Sequence, residues 1–127
     1  MDAAQALADL TEISSQIEAA VLFDEGGAVQ AATLGDESAA KALAAAAGRL
    51  LEDAGAFRGD EAVTQLEASV QDGSVFVVRD GPRRIAAITG PAPTVGLVFY
   101  DLKSALRGAA EEKPKRRRAM KKAADEA

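Results

Sequence analysis

The sequence predicts one α+β domain with the element order αββαβββα, and residues 72–106 support this prediction most directly. Two turn sequences lie here, Asp72-Gly73 and Asp80-Gly81-Pro82, in which Gly reaches positive φ freely and Asp hydrogen-bonds its own backbone. Apolar runs rich in β-branched residues follow the turns, at 75–78 and 85–88, as expected of strands. The apolar spacing then changes to steps of three and four residues, which is typical of one helix face: Val95, Val98, Phe99, Leu102 and Leu106. The residues alone therefore predict a β-meander closed by an amphipathic helix.

The N-terminal part predicts a helix followed by a hairpin. The helix covers residues 3–16, because Leu7, Leu10, Ile13 and Ile17 fall on one arc. Apolar runs at 19–23 and 28–33 predict two strands joined by a Gly-rich turn. The pair Gly26-Gly27 does not indicate a phosphate-binding loop, since neither a lysine nor a helix start follows it.

The second helix is predicted over residues 37–54, with Asp36 accepting hydrogen bonds from its first free N–H groups. At about 100° per residue, the face expected to lie on the sheet consists of Ala40, Leu43, Ala47, Leu50, Leu51 and Ala54. A second stripe of mostly small residues lies beyond that face: Ala39, Ala42, Ala46, Arg49 and Asp53. The stripe has two interpretations, an alanine bias in a solvated helix or a helix contact in an oligomer, and we prefer the second. Gly48 costs about 1 kcal/mol relative to Ala in a helix interior unless close approach or a bend compensates.

A third strand is predicted over residues 62–70, because apolar and polar positions alternate there. One face carries Thr64, Leu66, Ala68 and Val70, and the other carries Val63, Gln65, Glu67 and Ser69. This alternation is typical of a half-buried strand.

Composition excludes most kinds of catalytic and metal site. The 127 residues include no Cys and no His, which removes thiolate chemistry, the commonest general base and the commonest zinc ligands. Adjacent carboxylates such as Asp24 and Glu25 are typical of caps and solvated turns. Aromatic residues make up only 4% of the chain, which disfavours an aromatic-lined ligand pocket. We therefore expect no enzymatic activity, no cofactor and no metal.

Charge divides the chain into an acidic body and a basic tail. Residues 1–110 carry eight basic and sixteen acidic side chains, and residues 111–127 carry seven basic and four acidic ones. We interpret 1–110 as the domain and 111–127 as a basic, flexible tail. The tail is either a solvated terminus or a segment that attracts an acidic partner, an anionic membrane or nucleic acid. The basic side chains that would carry such electrostatics are Lys113, Lys115, Arg116, Arg117, Arg118, Lys121 and Lys122.

No targeting or membrane segment is apparent in the sequence. Met1 and Asp2 open an acidic, Ala-rich helix rather than a basic and apolar leader. The longest uncharged run, residues 85–100, is interrupted by Gly90, Pro91 and Pro93. We therefore expect a soluble, cytoplasmic protein.

Residues 3–110 resemble the roadblock family, small regulatory domains related to a dynein light chain. The resemblance rests on the hairpin at 21–27, the Ala-rich second helix and the stretch 93–102, where glycine, apolar residues and an aromatic-acidic pair enter the last helix. It implies a profilin-like arrangement, in which one five-stranded antiparallel sheet has the first and last helices on one face and the second helix on the other. The basic tail is not part of the shared domain.

The resemblance also implies a homodimer, because members of this family commonly pair through the second helix and third strand. The implied interface combines the stripe of the second helix with polar positions of the third strand: Ala39, Ala42, Ala46, Arg49, Asp53, Gln65, Glu67 and Ser69. The choice between a homodimer and a heterodimer with a related chain stays open.

Three functions follow, in this order of preference. Family members in bacteria and archaea are often paired with Ras-like GTPases, so the resemblance implies a module that regulates or scaffolds such a switch. This chain has no Gly-x-x-x-x-Gly-Lys-[Ser/Thr] loop, so it fits the regulator rather than the GTPase itself. The alternatives are a small-ligand sensor and a tail-driven binder of nucleic acid or membrane that uses the domain to dimerise.

Overall fold

A computed structural model describes residues 2–59 and 61–126, with side chains described for 2–57, 59 and 61–110. Two helices and five strands precede the last helix in the predicted order, and a single 3₁₀ turn at Ala56–Arg58 follows the second helix. The bounds are α1 Ala3–Ile13, β1 Ile17–Asp24, β2 Val29–Ala32, α2 Glu37–Gly55, β3 Gln65–Val70, β4 Gly73–Asp80, β5 Arg83–Thr89 and α3 Val95–Glu126. The predicted fold class and element order are confirmed.

The five strands form one sheet in the order β2-β1-β5-β4-β3, and every neighbouring pair is antiparallel. The long strands β1, β5 and β4 occupy its centre. The short strands β2 and β3 form its two edges, which leaves one backbone side of β3 without a strand partner in the described structure.

Two hydrophobic cores lie on opposite faces of this sheet. One joins α1 and α3 to the face that carries Leu22, Phe76 and Ile85. The other joins α2 to the face that carries Val21, Phe23 and Val77. This is the three-layer arrangement expected from the resemblance. The alternation of side chains along each strand supplies both cores at once.

The first helix is shorter than predicted. α1 ends at Ile13, because Ser14 takes an extended backbone conformation and its N–H donates to the carbonyl of Leu10. Ile13 is 72% exposed, whereas Ile17 is buried as the first residue of β1. Serine hydrogen-bonds nearby backbone groups outside helices, so the two serines after Ile13 favour this exit. The third strand is also shorter, since its ladder with β4 begins at Gln65 rather than at residue 62.

The buried face of α2 is rotated from the predicted one. The residues that face the sheet are Ala40, Ala44, Ala47, Leu51 and Gly55. Leu43, Leu50 and Ala54 were expected there but are only half buried. Periodicity alone could not fix this rotation, because the helix is rich in Ala on every side. The predicted cap is confirmed, since Oδ1 of Asp36 accepts a hydrogen bond from the N–H of Ser38 at 3.0 Å.

The last helix buries most of its predicted face. Val98, Leu102 and Leu106 are buried, and Phe99 packs edge-to-face on Phe76 with ring centroids 5.0 Å apart. Val95 is 40% exposed at the first turn. The backbone of α3 continues to Glu126, so the division of the chain at residue 110 and the flexibility of 111–127 stay predictions. Among the described residues, no helix is sufficiently long and apolar to span a membrane.

Candidate dimer interface

The small-residue stripe of α2 lies on the side of the helix that points away from the sheet. Ala42, Arg49 and Asp53 are exposed, and Ala39 and Ala46 are half buried. At about 100° per residue, the centre of this stripe is nearly opposite the centre of the buried face. All five residues are therefore available to a second molecule in the isolated chain.

The rotation of α2 makes this surface more apolar than the sequence indicated. Leu43 and Leu50 lie on the helix between the stripe and the buried face, and both keep part of their surface exposed. Together with Ala39 and Ala46 they form a contiguous apolar flank of α2. Small side chains let another backbone come close, and the two leucines add apolar area that burial would remove from water.

The β3 residues predicted for the interface lie on the other face of the sheet. Gln65, Glu67 and Ser69 pair with Val78, Phe76 and Ser74 of β4, and Val78 and Phe76 belong to the core beneath α1 and α3. The structure therefore separates the eight predicted residues into two groups, one on α2 and one on the opposite face of β3. These two groups do not form one continuous surface of side chains.

A small hydrogen-bond network holds the polar side of β3. The carboxylate of Glu67 accepts from the hydroxyls of Ser69, at 2.8 Å, and Ser74, at 2.9 Å. The two hydroxyls are 3.2 Å apart. These bonds lie along β3 and across to β4, so they fix the edge strand without using its free backbone side.

A further apolar surface, not predicted from the sequence, lies on the α2 face of β3 and β4. α2 makes its sheet contacts mainly with β1, β2 and β5, so the β3 end of this face is less covered. Leu66, Ala68 and Val75 are half buried there, and Val70 is 72% exposed. The alternation of β3 contained this signal, because it placed Leu66, Ala68 and Val70 on one face. The position of α2 over the opposite end of the sheet was needed to show that they are uncovered.

These features form a surface suited to a second polypeptide. We name it the β3 platform: the free edge of β3, the half-buried apolar residues Leu66, Ala68 and Val75, and the apolar flank of α2. Backbone hydrogen bonds along the free edge and burial of the apolar residues would both favour pairing. The one ion pair between described residues, Lys41 with Glu37 at 3.6 Å, is highly exposed and lies outside the platform.

Among the described residues, no group of three or more Asp, Glu, His or Cys side chains is placed to hold a metal ion. The seven basic side chains of the tail, from Lys113 to Lys122, lie outside the residues whose side chains are described. Their electrostatic role stays a prediction.

Known structures share this architecture, although no model of a protein family and no curated protein matches the chain. A roadblock/LC7 domain from Streptomyces avermitilis is similar over 88% of this chain and 98% of its own, with a TM-score of 0.77 and 20% identity. Gliding protein MglB from Thermus thermophilus is similar over 86% of each chain, with a TM-score of 0.71 and 15% identity. A structure of MglB in a tetrameric arrangement covers 86% of this chain and 85% of its own, with a TM-score of 0.67 and 15% identity. At these identities the likeness establishes the architecture, and it confirms the resemblance at that level. The chain therefore has the roadblock/LC7 fold.

Proposed function

We propose that this chain is a non-enzymatic, homodimeric interaction module of the cytoplasm that regulates or scaffolds a small Ras-like GTPase or a related signalling switch. The observation that carries this proposal is the β3 platform, a free strand edge beside uncovered apolar residues of the same sheet face. Exposed edges with apolar neighbours promote uncontrolled pairing unless a specific partner covers them. A second copy of the chain supplies such a partner.

Pairing of two β3 strands about a two-fold axis would make one continuous ten-stranded sheet. The same axis would place both α2 helices on one face of the joined sheet, where they would meet along the apolar flank of Ala39, Leu43, Ala46 and Leu50. Ala39, Ala42 and Ala46 permit the close approach, and Leu43 and Leu50 at the flank lose their remaining exposure. The tetrameric arrangement of MglB, which shares the fold, is consistent with assembly of such domains.

The GTPase connection rests on the fold and on the family resemblance together. Roadblock-type domains are expected beside Ras-like GTPases, and the chain has no phosphate-binding loop of its own. A dimer would present a broad surface to such a partner, and the tail would steer an acidic partner toward it.

The test is capture of nucleotide-dependent partners from the source organism. The full chain is used as bait in lysate containing excess GDP or a non-hydrolysable GTP analogue, and bound proteins are identified by mass spectrometry. We expect a GTPase to be retained in one nucleotide state and not in the other. A bait carrying Ala46→Glu reports whether retention needs the dimer, and Lys41→Glu, exposed on another side of α2, is the matched control. A GTPase retained equally in both nucleotide states would favour scaffolding over regulation, whereas recovery without any GTPase contradicts the proposal.

A second candidate function follows from the charge of the tail. Seven basic side chains within residues 111–127 would give a dimer two cationic segments, and avidity would strengthen their binding to nucleic acid or an anionic membrane. No aromatic residue interrupts this segment, so bases have no side chain on which to stack. Such binding would be sequence-independent and steeply salt-dependent.

A further inference from the structure

Two arginines, Arg79 on β4 and Arg84 on β5, lie directly opposite each other in the sheet. Side chains at directly opposite positions project from the same face, with Cβ atoms about 4.5–5.5 Å apart. Phe23 is the partner of Arg84 on β1, and it belongs to the core beneath α2. Both arginines therefore project from the α2 face at the margin of that core, and both are half buried. Like charges directly opposite each other destabilise a strand pair, so an anion bound between the two arginines would stabilise the sheet.

The adjacent residue Arg83 has the opposite surroundings. Its cross-strand partners are Asp24 on β1 and Asp80 on β4, so carboxylates flank it on both sides. Arg84 instead has a phenyl ring on one side and a second guanidinium on the other. The Nε atom of Arg84 is buried and has no hydrogen-bond partner among the described residues. A buried donor without an acceptor is costly, more so in a charged group, which points to an acceptor from outside the chain.

Arg79 and Arg84 line a cleft of about 250 Å³ between α2 and the turn that joins β1 to β2. The helix contributes Ala44, Ala45 and Gly48 to its wall, and Arg49 to its rim. A Cβ atom at Gly48 would meet no described atom within 4 Å beyond its own stretch of helix, so packing within the chain does not require glycine there. The wall of small residues leaves space for a ligand close to the helix.

Carboxylates also line this cleft, but they are not paired with the arginines. Oδ1 of Asp24 accepts hydrogen bonds from the N–H groups of Gly26, at 2.9 Å, and Ala28, at 3.0 Å, so it is engaged in the turn. Glu25 and Glu52 are exposed. The ion pair present between described residues joins Lys41 to Glu37 and involves none of these groups. The cleft is therefore lined by three arginines and three carboxylates, and its half-buried members are Arg79, Arg84 and the turn-bonded Asp24.

We propose that this cleft binds a phosphate-type oxyanion through the guanidinium groups of Arg79 and Arg84, with Arg49 at its rim. A guanidinium is planar, permanently charged and presents paired N–H donors that match two oxygens of a phosphate. The bound oxyanion accepts hydrogen bonds from the terminal N–H groups of both guanidiniums and offsets the repulsion between their charges. The ligand is either inorganic phosphate or the phosphate group of a small metabolite, since both present the same oxygens.

The location and class of the ligand are tested by titrating the ¹⁵N-labelled full chain at constant ionic strength. The probes are inorganic phosphate, adenosine monophosphate as a phosphate monoester, and acetate. We expect saturable shifts of the amide signals of Gly26, Gly27 and Gly48, with phosphate or the monoester binding at least about tenfold more tightly than acetate. The tighter of the two phosphate probes identifies the source. Equal affinity for acetate, or shifts confined to the signals of residues 113–122, overturns the proposal.

The role of the arginine pair is tested with Arg84→Gln. We expect this variant to weaken phosphate binding by about tenfold or more and to abolish the rise of Tm that phosphate causes. Without phosphate, its Tm is expected to equal or exceed that of the parent chain, because one of two opposed charges is gone. Arg107→Gln, which removes an exposed arginine of α3, is the matched control.

If Arg84→Gln does not fold, phosphate affinity is measured in two other variants, Arg84→Lys and Arg79→Gln. Lysine retains the charge but loses the paired donors, so we expect an intermediate affinity. Unchanged phosphate affinity in a folded variant of either arginine overturns the assignment.

Discussion

The carbonyl oxygen of Thr89 occupies the space that a Cβ atom at Gly73 would take. Gly73 opens β4, directly after the turn that joins it to β3, and Thr89 closes β5 on the neighbouring strand. The contact is with backbone rather than with the end of a flexible side chain, so only movement of a strand could relieve it. The absence of a side chain at residue 73 is therefore a condition for the β4–β5 pairing at this end.

Gly73→Ala is expected to destabilise the fold by about 1–3 kcal/mol, because the added methyl group must displace the β5 backbone. Chemical denaturation followed by circular dichroism measures this change. Gly48→Ala is the control, since a Cβ there meets open space and Ala is the better helix former by about 1 kcal/mol. Equal stability of the Gly73→Ala variant and the parent chain would show that β5 moves freely.

Asp36→Ala should lower the free energy of unfolding by about 1 kcal/mol. The substitution removes the side-chain acceptor that binds the N–H of Ser38 at the start of α2. Asp36→Asn keeps an acceptor at the same position, and we expect most of the stability to return. The same denaturation measurement compares the parent chain with the two variants. If Asp36→Asn lost as much free energy of unfolding as Asp36→Ala, the effect would come from charge rather than from capping.

Ala46→Glu is expected to convert the proposed dimer into a folded monomer. The new carboxylate would be enclosed between two α2 helices without a partner, at a cost of about 3 kcal/mol or more. Sedimentation velocity gives the molecular mass, and circular dichroism checks the fold. Lys41→Glu also introduces a carboxylate on an exposed side of α2, outside both the stripe and the arginine cleft, so it should leave the dimer intact. A dimeric Ala46→Glu protein would refute this use of α2.

Substitution of Arg116, Arg117 and Arg118 by Gln tests the basic tail. If the tail steers an acidic partner, the association rate should fall severalfold at low salt, whereas the dissociation rate changes little. Surface plasmon resonance with the captured partner measures both rates. The difference from the parent chain should disappear at high salt, because the charges are then screened. An unchanged association rate at low salt would assign these arginines to solubility alone.

Local patterns were sufficient to predict most of the elements. The period of the apolar residues distinguished helices from strands, Asp-Gly pairs placed the turns around β4, and Asp36 marked the start of α2. Each of these signals acts between residues close in sequence, where backbone conformation is decided by neighbouring side chains. The predicted end of α1 at residue 16 was wrong because two local signals conflict there. The apolar period continues to Ile17, but the serines after Ile13 end the helix first.

The candidate sites needed contacts between distant parts of the chain. The exposed flank of α2 depends on a rotation that an Ala-rich helix leaves undetermined, and the uncovered residues of β3 depend on where α2 lies over the sheet. The oxyanion cleft depends on the register that sets Arg79 opposite Arg84. The side chain of Gln16 likewise accepts from the N–H of Thr94 at 2.6 Å, across 78 positions of sequence.

The sequence by itself determined the order and kind of the elements, the absence of cysteine and histidine chemistry, and the separation of an acidic body from a basic tail. Only the tertiary structure decided which sides of those elements stay uncovered and which charges come together. The physical reason is that periodicity and capping are encoded within a few residues, whereas strand register and helix placement are set by packing the whole chain around its two cores.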